Sequence, residues 1–193
     1  MIDPNRQDGL QFEFPELDAN ERLRELILHI SEKCAGDSSF GATKLNKLLF
    51  FADFQSFFEY GEPITGGEYQ KLPMGPAPRQ LVPVRDAMEA RGEIKIEKRA
   101  TYFNRQQHRC IPQRSADLSG FKGRDIELLD MVIQRFWGTN ARDISELSHQ
   151  RAWRIAKENE SIPYEAVFLS DDDTLTAAEA EHLMALNREH GWE

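Results

Sequence analysis

The side chains in this sequence that could do chemistry are few, and their spacing narrows them further. His149 and Trp153 stand four residues apart, so on a helix they share a face. There is no HExxH and no second His at ligand spacing, so the pattern predicts a structural His beside a Trp rather than a metal ligand. Asp171, Asp172 and Asp173 lack the Gly and the bidentate Glu of a calcium loop and read as a solvated acidic turn. Cys34 and Cys110 are far apart without metal spacing, which predicts two reduced, buried thiols. The chain carries no G-x-S-x-G, no P-loop and no dinucleotide glycine pattern. The expectation is therefore a non-enzymatic protein with no cofactor and no metal.

Two other groups of residues point to binding. In Thr43–Pro78, Asp53 and Asn46 lie on the polar edge of an otherwise apolar helix, ahead of the Gly- and Pro-dense run EPITGGEYQKLPMGPAP. A buried Asp must find hydrogen bonds or a cation. The plainer partner is an internal Arg or a loop N–H; the functional alternative is that Asp53 presents the loop to another molecule. Tyr69 and the Met74-Gly75-Pro76 turn are candidate contacts, since a Tyr on a rigid loop offers area at small entropic cost. A loop packed on its own core is the bland reading. The second group is a basic ribbon: Lys95, Lys98, Arg99, Arg105 and Arg109, with Arg114 beyond it, could meet phosphates beside a helix, as in winged-helix proteins. Pro83 in the presumed recognition helix and the overall charge of −9 oppose that reading.

The elements that position these residues follow from periodicity. Phe50, Phe51, Phe54, Phe57 and Phe58 make one broad apolar stripe, and Leu45, Leu49 and Ala52 make another across the helix. A helix apolar on two faces has neighbours on both, so it is expected at the centre of the core, stopped by Gly61. Asp18 with Glu21 has capping-box spacing ahead of Leu23, Leu26, Ile27, Ile30 and Cys34, a first helix ending by Gly36. Residues 78–91 predict a helix that begins or kinks at Pro83. Glu93–Lys98 and His108–Ile111 predict a hairpin. Ile126, Leu129, Val132, Ile133 and Phe136 mark another helix. A short one follows, capped by Asn140 or Thr139, then one carrying Trp153 that Ser148 is placed to cap. Ile162–Tyr164 is expected to be extended. A last, weakly amphipathic helix begins at Thr176. The fold class is thus α+β, mainly α: a helical domain around a Phe-rich helix with a small antiparallel ribbon, in a winged-helix-like layout.

TKLNKLLFFAD, the turn through Gly61, Pro63, Ile64, Thr65 and Gly66, Tyr69 and the Gly75-Pro76 pair, followed by Leu147-Ser148-His149 and Trp153, resemble the Panacea domain of SocA-like antitoxins. That family includes phage-associated, GepA-like proteins of bacteria and phages. The resemblance covers roughly residues 23–164. It implies binding without chemistry: neutralisation of a cognate protein toxin by direct contact, in some members with delivery of the toxin to a protease complex.

The domain division expected is an arm at 1–17 carrying Phe12, Phe14 and Pro15, the main domain at 18–165, and an acidic loop and helix at 166–193. Composition, at 40% apolar and 30% charged residues, is that of a globular protein. No apolar run approaches the ~20 residues that cross a bilayer, and the acidic N-terminus lacks a signal-peptide core, so no membrane and a cytoplasmic location are expected. Charge is uneven: nine Lys and Arg face four acidic residues over 79–114, while ten acidic residues face one Arg over 158–193. The candidate partner-binding set is Asp53, Tyr69, Met74, Gly75, Pro76, His149 and Trp153. The alternative is a DNA-binding regulator working through the ribbon.

Overall fold

A computed structural model describes residues 18–100 and 106–169. The arm at 1–17, Arg105, the Asp171–Asp173 loop and the helix expected from Thr176 lie outside the described residues. The architecture is mainly helical with two small antiparallel sheets. Helix α1 (Ala19–Lys33) is followed by α2 (Ala42–Tyr60), strands β1 (Tyr69–Gln70) and β2 (Ala77–Pro78), and α3 (Leu81–Ala90). The ribbon β3 (Ile94–Ala100) and β4 (Gln106–Pro112) comes next, then α4 (Gly123–Arg135), α5 (Ala141–Leu147), α6 (Arg151–Ile155), β5 (Ser161–Ile162) and a 3-10 turn, Tyr164–Phe168. No helix among the described residues is long and apolar enough to cross a membrane.

α1 starts where the capping box predicts. The Asp18 carboxylate accepts from the Glu21 N–H at 2.8 Å, and the Glu21 carboxylate accepts from the Asp18 N–H at 3.1 Å. α2 ends at Gly61, whose φ of +73° suits a residue without Cβ. The two stripes of α2 feed two cores. Leu45, Leu48, Leu49 and Ala52 join the larger one with α1, α4, Leu81 and Met88 of α3, Ile94, Cys110, Phe121 and Ile144. Phe50 and Phe54 face a smaller one with Tyr69, Ile162 and Ala166. Phe51 stacks on Phe136 at 4.7 Å between centroids. Only the last turn of α2 emerges, and Phe58 is exposed there rather than buried with the other Phe residues.

Enclosure of α2 brings in residues that periodicity places at the surface. Lys44 is buried with its Nζ 2.5 Å from Asp37 and 2.9 Å from the Thr139 carbonyl. Burial pushes the Asp37 carboxyl up, but Lys44 and the N–H groups of Ser39 and Gly138 more than offset it and hold it below the carboxylate range. Pro83 lies in the first turn of α3, where its missing N–H costs nothing, so the helix runs unbroken to Ala90. Asn140 caps α5 through the N–H groups of Arg142 and Asp143. Ser148 does not cap α6: that helix starts after Gln150, and the Ser148 hydroxyl turns back to the Ser145 carbonyl at 2.6 Å.

β3 and β4 pair from Ile94 with Pro112 to Ala100 with Gln106. The second sheet has the order β2-β1-β5 and escaped sequence reading, because two-residue strands carry no readable period. It joins both ends of the Gly/Pro loop to a segment some 90 residues later, through Tyr69 with Pro78 and with Ile162. Cys34 and Cys110 are free and buried.

Candidate functional site

The loop between α2 and α3 is held at three points. The first is Asp53, fully buried in α2. Its carboxylate accepts the Thr65 N–H at 2.7 Å, the Tyr69 hydroxyl at 2.8 Å and the Thr65 hydroxyl, with the Tyr164 hydroxyl at 3.5 Å. Tyr164 also donates to the Gly67 carbonyl at 2.6 Å, and the Gly67 N–H reaches the Thr65 hydroxyl at 3.0 Å. No cation completes the group among the described residues. Burial therefore raises the Asp53 carboxyl above its usual range, against the opposing pull of the Thr65 and Tyr69 donors. The same burial drives the Tyr69 and Tyr164 phenols upward. These side chains are scaffold: the loop turns through 65–69 because its polar groups close on one acid.

The second point is Lys47, one helical turn and a half earlier. It is 1% exposed, and its Nζ donates to the Pro76 carbonyl at 2.8 Å. Burial alone pulls its pKa down to about 7. Gly75 lies directly over it with φ +95°. A Cβ there would fall 2.4 Å from the Ser148 Oγ and 2.6 Å from the Lys47 Nζ, so only Gly fits the turn.

The third point is Trp153. Its indole N–H donates to the Leu72 carbonyl at 3.0 Å, and its ring stacks on His149 with centroids 3.7 Å apart and planes 9° from parallel. Lys71 lies over the same Trp at 4.4 Å and donates to the Ala156 carbonyl. Burial first, then the nearby Lys47, lowers the His149 pKa. Main-chain bonds between Lys71 and both Asn159 and Glu160 continue the seam, and Arg79 closes it through Glu68, Gln70 and the Asn159 carbonyl.

The candidate contact residues therefore divide. Asp53, Tyr69, Gly75 and Pro76 are inside, anchoring or filling the turn, and Tyr69, at 1% exposure, offers nothing to a partner. The hot-spot reading of Tyr69 gives way because its phenol is needed by Asp53. His149 and Trp153 are half-buried braces. Met74, at 52% exposure, points outward. Leu147, the neighbour in the chain of the Ser148 that lies against Gly75, is also exposed, at 58%. Lys47, Thr65, Ser148 and Tyr164 are the site residues that sequence reasoning missed. For Lys47 the signal was present: an ionisable side chain between Leu45 and Leu48 on a helix without an outer face.

On the ribbon, Lys95 and Lys98 are exposed, and Arg99 pairs with Glu97 at 2.7 Å. Arg109 is buried, donating to the carbonyls of Cys34, Ala35 and Asp37 at 3.2, 2.9 and 2.8 Å. Its charge serves the end of α1 and is withdrawn from any phosphate-facing surface.

A family model described as antitoxin SocA-like, Panacea domain, matches residues 45–154, more than half of the chain. The match runs from α2 through the loop, α3, the ribbon, α4 and α5 into α6. No curated protein and no solved structure matches the chain.

Proposed function

The chain belongs to the SocA-like antitoxin, Panacea-domain family, and on that premise we propose that it neutralises a cognate protein toxin in the cytoplasm by binding it directly. The observation that carries the reading is that the matched segment holds the loop together with Lys47, Asp53 and Trp153, which anchor it, while Tyr164 and β5 brace it from beyond the match. In that loop the polar side chains able to do chemistry are turned inward: Asp53 on Thr65 and the two Tyr hydroxyls, Lys47 on Pro76, Trp153 on Leu72. What is left outward is Met74 on a braced turn, with Leu147 exposed at the end of α5. A preorganised turn loses little entropy on docking and suits inhibition by occupancy. A stable interface buries on the order of 1,200–2,000 Å², so one turn does not suffice and the exposed Lys95 and Lys98 of the ribbon are proposed to join it.

Co-expression should rescue growth from a toxin encoded beside this gene, and the two proteins should co-purify in fixed ratio. Met74→Asp with Leu147→Asp alters only exposed side chains and should weaken the complex at least tenfold without lowering thermal stability. Toxin that disappears on co-expression only when a cellular protease is present identifies the adaptor mode; toxin that persists in the complex identifies occlusion. Rescue without a physical complex, or a neighbour that is not toxic, refutes the proposal. The DNA-binding reading keeps only Lys95 and Lys98 as unpaired ribbon cations among the described residues, and no observation favours it over toxin binding.

A further inference from the structure

We propose that the Leu72–Pro76 turn is a proton-sensitive latch, closed over the amine of Lys47 and opened when that amine takes up a proton.

The closed turn suits an amine better than an ammonium. An ammonium carries three N–H donors. The site supplies one acceptor, the Pro76 carbonyl at 2.8 Å, and no carboxylate pairs with Nζ among the described residues. Lys44, on the same helix, shows the alternative: there a buried ammonium has Asp37 and a carbonyl together. The groups that face Lys47 do not compensate. Ser148 donates its hydroxyl to the Ser145 carbonyl, and Gly75 leaves no room for water between it and Nζ. His149, from the corner between α5 and α6, has Nε2 buried without a hydrogen-bond partner among the described residues, and a proton there would add a like charge. Of the charges acting on His149, Lys71 adds to the repulsion and Glu146 opposes it.

Opening is local. The bonds that keep the turn shut are few: the Gly75 N–H to the Leu72 carbonyl at 2.9 Å, the Trp153 indole N–H to the same carbonyl, and the Lys47 bond itself. Lifting residues 72–76 would expose Nζ to water and return it to an ordinary lysine, near 10.5, whereas in the closed turn it titrates at about 7. Proton linkage then fixes the direction: the open form binds the extra proton, so opening grows as pH falls. Between pH 9 and pH 7 the opening equilibrium should rise about fiftyfold.

The test follows the full chain by NMR. With lysine labelled at Cε, the Lys47 signal should titrate near pH 7. Protection of the Gly75 amide and the Trp153 indole N–H, corrected for intrinsic exchange, should increase about fiftyfold from pH 7 to pH 9. Lys47→Met should make that protection independent of pH, and His149→Gln should leave the dependence in place. Titration of Lys47 above pH 10 overturns the proposal. So does protection that ignores pH in the wild type, a dependence that survives Lys47→Met, or one that vanishes in His149→Gln. Should Lys47→Met fail to fold, the wild-type titration and exchange decide the matter between them.

Discussion

Replacing Asp53 separates two roles that a buried carboxylate can have, supplying acceptors and supplying charge. In Asp53→Ala the Thr65 N–H, the Thr65 hydroxyl and the Tyr69 hydroxyl lose their acceptor deep in the core, while Tyr164 retains the Gly67 carbonyl. Each orphaned buried donor costs about 1–3 kcal/mol, so with three of them the variant should lose about 3–9 kcal/mol. That is a large part of the 5–15 kcal/mol typical of a domain. Asp53→Asn keeps an acceptor for Thr65 and removes a charge that no cation balances, so its cost should stay near 1 kcal/mol or below. Urea unfolding of the three proteins at pH 7 measures both. The pH dependence carries a sign. Because the folded Asp53 pKa is raised, its contribution is fully present below the unfolded value near 3.8 and is lost as pH rises toward the folded one. Asp53→Asn should therefore gain on the wild type as pH rises from about 4. An Asn variant as unstable as the Ala variant, or an Ala variant within 1 kcal/mol of wild type, would refute the account.

Gly75→Ala meets both a positive φ and two close atoms, and should destabilise the protein by about 2 kcal/mol or more, whereas Gly61→Ala, with nothing within 4 Å of its Cβ, should cost about 1 kcal/mol; thermal melts of the pair check this. Burial pushes the Cys34 thiol up to about 12 and the Cys110 thiol up to about 11, so neither should react with a disulfide reagent at pH 8 until urea unfolds the chain.

Much of this architecture was legible because α1, α2 and α4 are long enough to show a period, and because Asp18, Gly61 and Asn140 mark helix ends by local chemistry. The two-sided character of α2 was readable from Leu45, Leu49 and Ala52 against Phe50 and Phe54. Its corollary is less visible: a helix enclosed on two sides also encloses its lysines, and Lys44 and Lys47 look like surface residues only if Lys is assumed to be exposed. At the site, the need for hydrogen bonds at Asp53 and a loop N–H as donor could be foreseen. That Tyr164 and Ser161–Ile162 complete the loop from far along the chain could not, since strands of two residues leave no pattern and long-range pairing has no local sign. Arg109 shows the converse failure: its type and neighbours place it in a basic patch, yet the carbonyls of Cys34, Ala35 and Asp37 at the end of α1 draw it inward.

The pairing of β1 with β5 has a consequence for synthesis. Phe50, Phe54 and Tyr69 are covered by Ile162 and Ala166, and Trp153 joins them from the same late segment. A nascent chain that has delivered α2 and the whole loop still shows an aromatic surface until Ile162 and Ala166, far along the chain, have left the ribosome. Loop closure over that span is slow compared with forming a helix. The turn thus reaches its final shape only once β5 has been made, and a chain interrupted before Ser161 would carry the family's characteristic motifs while remaining sticky and unfinished.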